Sequence, residues 1–357
     1  MHLTLIVPGD PGQRTGGYLY DAHITAELRA LGWQVDVIGL AGQFPNADVR
    51  ARQAMSEALA SLPDGHRVVI DGLALGGVPD SVEEHAGRLD LIGLVHHPLS
   101  DETGLDEAQQ QALLNSERLA IGHCRKLIVT SPFTRNRLAE VGLDHEHVSV
   151  VEPGVELAAL SERVAQRLNR SDPDGPQRLL CVASLSPRKG QDVLLAALAE
   201  LEAHDWLLNL VGSAERDPIF ANRLKHRIQA HDLESRVHLL GELDQHELAE
   251  QYHQADLCLL PSWYEGYGMV VSEALARGLP LITTTGGALA DTVPASAALK
   301  IAPGDQAALR DALEQWLGDS ALRLSLSQAA AEWRANLDDW TVAAAQFADA
   351  VQFPEAS

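Results

Sequence analysis

The chain has 357 residues, 46% of them hydrophobic and 22% charged, with a formal net charge of −23. That length exceeds one ordinary core and suits two domains of roughly 150–180 residues each. So acidic a surface repels phosphate backbones and anionic lipid headgroups, which excludes nucleic acid and a basic membrane-docking face.

Leu3–Val7 reads as a buried strand running into a Pro- and Gly-rich loop, Pro8 to Gly17. Apolar spacing predicts a helix over Tyr18–Leu31, stopped by Gly32 as a C-terminal glycine. Strands follow at Val35–Leu40, Val68–Ile70, Leu91–Val95 and Leu127–Val129. Asn169–Pro176 is dense in turn residues and reads as the linker. Beyond it the pattern restarts: strands at Arg178–Ala183, Trp206–Val211, Arg236–Leu240, Leu257–Leu260, Leu281–Thr285 and Leu299–Ile301, with a helix over Asp192–Leu201 after the first of them. Strands alternating with helices predict an α/β chain of two doubly wound parallel-sheet domains, residues 1–170 and 171–337. A last helical stretch, Trp340–Val351, lies beyond the final strand. Open parallel sheets bind ligands beyond the carboxyl ends of their strands, so two such domains facing each other predict a site in the cleft between them.

The densest chemistry follows the strand Leu257–Leu260, in Pro261-Ser262-Trp263-Tyr264-Glu265-Gly266-Tyr267-Gly268, with an apolar helix opening at Met269. Gly266 and Gly268 let the backbone approach a ligand. A glycine turn feeding a helix N-terminus gathers free N–H groups and the positive end of the dipole, an anion site. Glu265 and Glu273 flank it, and a carboxylate pair around a phosphate-binding turn suits a nucleotide sugar, with hydroxyls on both sides of a diphosphate. Either glutamate alone reads more simply as a solvated side chain, Glu273 being favoured near the dipole. Both together, around two glycines and after a buried strand, do not.

Ser184–Gly190 carries the adjacent cations Arg188 and Lys189 after the first strand of the second half, where they would neutralise a departing diphosphate. Alone, it reads equally as a basic turn. Gly286-Gly287 after Leu281–Thr285 suggests close backbone approach or a plain turn. In the first half, His96-His97 follow Leu91–Val95. Adjacent imidazoles point apart and rarely share a metal, and no second cluster has ligand spacing, so no metal site is expected. One histidine would meet a sugar and the other would pack or face solvent. Gly16-Gly17 reads as a further approach to the diphosphate or as a mobile turn. Cys124, Cys181 and Cys258 show no Cys-x-x-Cys spacing and read as buried, reduced thiols. The N-terminus turns polar too early for a signal peptide, no apolar run nears the ~18 residues that cross a bilayer, and the expected location is the cytoplasm.

In this order the features resemble the family-4 glycosyltransferases, retaining enzymes of the GT-B fold with two facing Rossmann-like domains. The likeness covers nearly the whole chain and is strongest over Gly241–Gly287, where Ala255–Pro280 carries the family's motif of Glu, seven residues, Glu at Glu265 and Glu273. The resemblance implies that Glu265 faces the donor sugar and Glu273 holds the ribose hydroxyls. Amides of Tyr267, Gly268, Met269 and Val270 would meet the phosphates beside Gly266, and Lys189 matches the phosphate-binding lysine. It assigns the hexose contact to His97 over His96, and matches Gly16-Gly17 to the N-terminal glycine loop. It implies no metal and no cofactor, the nucleoside diphosphate sugar being a co-substrate with an acceptor hydroxyl. It also joins a C-terminal helix, residues 338–353, to the first, acceptor-side domain. One departure stands out: Ser184 occupies the position of a family arginine, with Arg188 in the next turn as a replacement. Asp291 stands where a glutamate is usual.

The implied reaction transfers a hexosyl group with retained configuration. No residue stands out as a covalent nucleophile, so the expected course is front-face, the leaving phosphate taking the acceptor proton. A dinucleotide oxidoreductase is disfavoured, since neither half has Gly-x-Gly-x-x-Gly after its first strand. A GT-B epimerase or phosphorylase would act without an acceptor, and a non-catalytic nucleotide-sugar-binding subunit would bind without turnover.

Overall fold

The computed structural model describes residues 1–169 and 172–352; Arg170 and Ser171 of the expected linker, and residue 353 of the expected C-terminal helical segment, lie outside them. Among the described residues, runs of Val, Ile and Leu form twelve strands in two sheets of six. In the first sheet they are β1 (His2–Pro8), β2 (Gln34–Leu40), β3 (Arg67–Asp71), β4 (Asp90–Val95), β5 (Lys126–Val129) and β6 (Val148–Val150). The second sheet contains β7 (Gln177–Val182), β8 (Trp206–Val211), β9 (Val237–Gly241), β10 (Leu257–Leu260), β11 (Leu281–Thr284) and β12 (Ala298–Ile301). All pairings are parallel, in the orders β2-β1-β3-β4-β5-β6 and β12-β11-β10-β7-β8-β9.

Sheets covered by helices on both faces need strands that are apolar throughout. β10, Leu257-Cys258-Leu259-Leu260, is buried along its whole length. Side chains alternate across the sheet, so Leu179 and Cys181 of β7 join the core around Trp206, Phe220 and Trp316. Leu180 joins the core on the other face, with Cys258, Leu260 and Tyr252. The three cysteines are buried and free.

The chain divides into two compact units, Met1–Gly154 with the segment from Asp338 onward, and Val155–Leu337. The expected boundary near 170 is therefore displaced. The helix Glu162–Leu168 belongs to the second unit because its cations grip the start of β10: Arg163 Nε lies 2.5 Å from Asp256 Oδ2, and Arg167 Nη2 lies 2.7 Å from Asp256 Oδ1, a fully buried carboxylate. In the first unit the helix Trp340–Ala350 packs on the helix Gly16–Ala30, with Trp340 stacked on His23 at 4.3 Å between ring centroids. The pattern reading missed β6, a three-residue edge strand whose burial is only partial. No helix among the described residues is long and apolar enough to cross a membrane.

Each sheet has one topological switch point, between β1 and β3 and between β7 and β10, where successive connections leave in opposite directions. The carboxyl ends flanking such a point open a crevice for ligands. In the second unit these ends carry Ala183–Gly190 and Pro261–Gly268; in the first, Gly9–Gly17 and Asp71.

Candidate active site

The two loops at the switch point of the second unit are joined around one carboxylate. Lys189 Nζ donates to Glu265 Oε1 at 2.6 Å, Ser262 Oγ donates to the same oxygen at 2.6 Å, and Arg188 Nη1 stands 3.6 Å from Oε2. Arg188 is fixed by a bond from Nη1 to the Tyr264 carbonyl at 2.9 Å, while Trp263 N–H donates to the Arg188 carbonyl at 2.8 Å. Gly190 allows this contact: its φ is +67°, and a Cβ there would lie 2.1 Å from the Pro261 carbonyl. Glu265 is 7% exposed. Burial pushes its carboxyl up, but Lys189 and Arg188, helped by the hydrogen bonds of Lys189 and Ser262, outweigh burial and hold it below the ordinary value. The result is an ionised carboxylate with two cations at a strand end.

Gly286-Gly287 support this loop from beneath. Cβ atoms there would fall 2.3 Å from the Trp263 and Glu265 carbonyls, and Ala288 N–H donates to the Glu265 carbonyl at 2.8 Å. Close approach, rather than a plain turn, explains the pair. Beyond Glu265 and Gly266 comes the helix Met269–Leu275, with Gly268 at its N-cap in the left-handed region and no side-chain cap. Tyr267 is held by a 3.1 Å bond from Thr292 Oγ1 to its carbonyl, and Met269 and Val270 form the first turn. Glu273, five residues into that helix, accepts from Tyr252 Oη at 2.7 Å. Tyr252 and Ser262 are partners that sequence reading missed; Tyr252 lies far from Glu273 in sequence and a lone serine carries no signal. Ser184 uses its carbonyl to accept from Gln191 Nε2 at 3.0 Å. Asp291 is exposed in a short helix.

In the first unit, Gly16 and Gly17 are the opening residues of the helix Gly16–Ala30 rather than part of the preceding loop. The histidines diverge. His97 Nε2 lies 3.4 Å from Glu102 Oε2, whereas His96 turns inward, its Nε2 3.4 Å from Asp71 and 3.9 Å from Asp21. A Cβ on Gly17 would come within 3.3 Å of the His96 ring. The glycine pair thus neighbours His96, and Asp21, Asp71 and His96 are close enough to surround a small cation, a cluster invisible in sequence spacing. The segment after His97 is tied down by Glu117, 1% exposed, whose Oε2 accepts from Leu99 N–H at 3.1 Å.

The glycosyl transferases group 1 family matches residues 140–333, more than half of the chain and both loops around Glu265. The chain belongs to that family. Among curated relatives of this chain, D-inositol 3-phosphate glycosyltransferase 2 of Catenulispora acidiphila is 32% identical over 201 residues, 53% of this chain and 46% of that protein. The chain spans about half the length of the curated relatives it matches. A sucrose-phosphate synthase from Thermosynechococcus elongatus superposes with a TM-score of 0.80 at 25% identity, covering 98% of this chain and 97% of that one. Anabaena HepE in complex with UDP-glucose does so with a TM-score of 0.76 at 19% identity, covering 97% and 98%, a likeness of fold. Two parallel six-stranded sheets with flanking helices are the GT-B fold that this chain shares with them.

Proposed function

We propose that this glycosyltransferase moves a hexosyl group from a nucleoside diphosphate sugar to an acceptor hydroxyl with retention of configuration, and without a metal. The observation that carries the reading is Glu265, a buried carboxylate locked to Lys189 and Arg188 at the switch point of the second unit. A diphosphate arriving there meets two fixed cations and the uncapped start of the helix at Met269, preorganised charge of the kind that stabilises a leaving group. Glu265 would be freed to face the hexose as the phosphates take over Lys189 and Arg188, and Glu273 would meet the ribose hydroxyls. Gly266, Tyr267, Gly268, Met269 and Val270 line the phosphate turn in this reading. The capture of UDP-glucose by HepE agrees with this donor class.

The experiment is a panel of nucleoside diphosphate sugars, read first by thermal stabilisation and then by nucleotide release in the presence of acceptor alcohols, with the product anomer assigned by NMR. Lys189→Ala and Glu265→Ala are expected to abolish transfer while the fold persists, and wild-type transfer is expected to survive EDTA. Near-normal turnover in both variants, or an inverted product, overturns the reading. Sugar-nucleotide isomerisation without an acceptor, or dependence on inorganic phosphate, would assign the site to an epimerase or a phosphorylase instead.

A further inference from the structure

At the switch point of the first unit, three ionisable groups from three elements converge. Asp21 comes from the helix Gly16–Ala30, Asp71 ends β3, and His96 follows β4. His96 Nε2 stands 3.4 Å from Asp71 Oδ2 and 3.9 Å from Asp21 Oδ1. Asp21 is 6% exposed and Asp71 7%. Asp71 Oδ1 is already engaged, accepting from Leu73 N–H at 2.9 Å, while Asp21 Oδ1 and His96 Nε2 are buried and make no hydrogen bond among the described residues.

With one proton shared between the two buried carboxyl groups, a neutral imidazole here would leave one carboxylate charge uncompensated, which is costly. An imidazolium, with one proton shared between the carboxyl groups, brings the cluster to zero net charge. The other groups facing the ring do not alter that balance. Tyr20 meets it edge-on at 5.6 Å, and the hydroxyls of Thr130 and Thr134 donate to the His96 carbonyl. We propose that Asp21 and Asp71 are positioning residues that keep His96 doubly protonated, so that the first unit offers substrate oxygen a fixed imidazolium N–H. The identity of that ligand rests on the nucleotide-sugar reading above; the charge state of the ring rests on the geometry alone.

Burial carries the Asp21 carboxyl up to about 8, against the pull of His96 and with the help of Asp71. For His96 burial acts downward, but the close approach of Asp71 and the charges of Asp21 and Asp71 outweigh it and raise the ring above its ordinary value. The side chain is 22% exposed although Nε2 itself is buried. The accessible part of the ring therefore lies away from Nε2, and the second N–H is the one left for a ligand. In this proposal His96, rather than His97, is the first-unit histidine that meets a ligand.

The test is a histidine-selective NMR titration of the full chain, with His96→Gln for assignment. Wild-type His96 is expected to titrate clearly above the ordinary ~6.5, and Asp71→Asn and Asp21→Asn to lower that midpoint by about one unit or more. A wild-type midpoint at or below the ordinary value overturns the proposal, and this reading needs neither carboxyl variant to fold. So does a midpoint unmoved by both variants, or millimolar Mg²⁺, Mn²⁺ or Zn²⁺ displacing the His96 proton, which would make the cluster a cation site. In transfer assays Asp71→Asn is expected to move the alkaline limb of kcat/KM to lower pH; a limb that stays in place removes the positioning role. A raised His96 midpoint in a chain that transfers no sugar would leave the charge state standing and defeat the functional reading alone.

Discussion

Arg188 and Ser184 can be weighed against each other side chain by side chain. Arg188 Nη1 is anchored on the Tyr264 carbonyl and reaches to 3.6 Å from Glu265, while Ser184 contributes its carbonyl to Gln191. A guanidinium held in a fixed geometry is worth far more to a phosphate than one that must be ordered on binding. Arg188→Ala is expected to weaken donor binding by about tenfold or more, the scale of one charge-assisted contact. Ser184→Arg in that background is expected to recover most of the loss, as read by calorimetry with the donor. No recovery would mean that position 184 does not reach the phosphates. Glu265 and Lys189, which the structure brings together, stood out in the sequence because each sits in a short loop at a strand end. Asp21, Asp71 and Tyr252 did not, because their partners are brought to them by β3, β4 and the packing of the helix Gln245–Gln254.

Among elements, the helix Glu162–Leu168 shows why the linker reading failed. Turn residues at 169–176 mark a loop, but Arg163 and Arg167 tie the preceding helix to Asp256 and so to the second sheet. Removing the fully buried carboxylate takes a partner from Arg163 and from Arg167, which keeps Asp172 at 3.0 Å, and Asp256→Ala is expected to cost about 3–5 kcal/mol, measured by urea denaturation of the second-unit transition. Glu117 gives the first unit a pH dependence of the opposite origin. Burial raises its carboxyl from an ordinary 4.5 to about 8, eased by the Leu99 hydrogen bond and reinforced by Asp101. The folded chain then holds a proton that the unfolded chain releases, so stability falls as pH rises from about 4.5 to about 8. Glu117→Gln keeps the acceptor for Leu99 and loses this slope; its melting temperature is expected to exceed that of the wild type at pH ~8.5 and to match it near pH 5, by calorimetry. The strands themselves were readable, since β10 is a continuous apolar run and β8 is one interrupted only by Asn209, both of the lengths expected. β6 escaped because three half-buried edge residues leave too short a pattern.

For the whole molecule, a formal charge of −23 opposes compaction through self-repulsion. Raising sodium chloride from about 10 mM to about 150 mM shortens the screening length to ~8 Å, and the melting temperature is expected to rise with it in a scanning series; a flat series would show that the charges are already balanced locally. The parallel α/β class could be read from strand–helix alternation, whereas the place where one unit gives way to the next could not, because turn composition says nothing of which sheet a helix grips. That division matters for synthesis. The second unit is one uninterrupted stretch, Val155–Leu337, while the first is completed only by the helix Trp340–Ala350. On the ribosome the aromatic face of Tyr20 and His23 therefore stays bare until Trp340 emerges. The second half of the chain is the one able to finish folding first, and the N-terminal half, made earlier, has to wait for it.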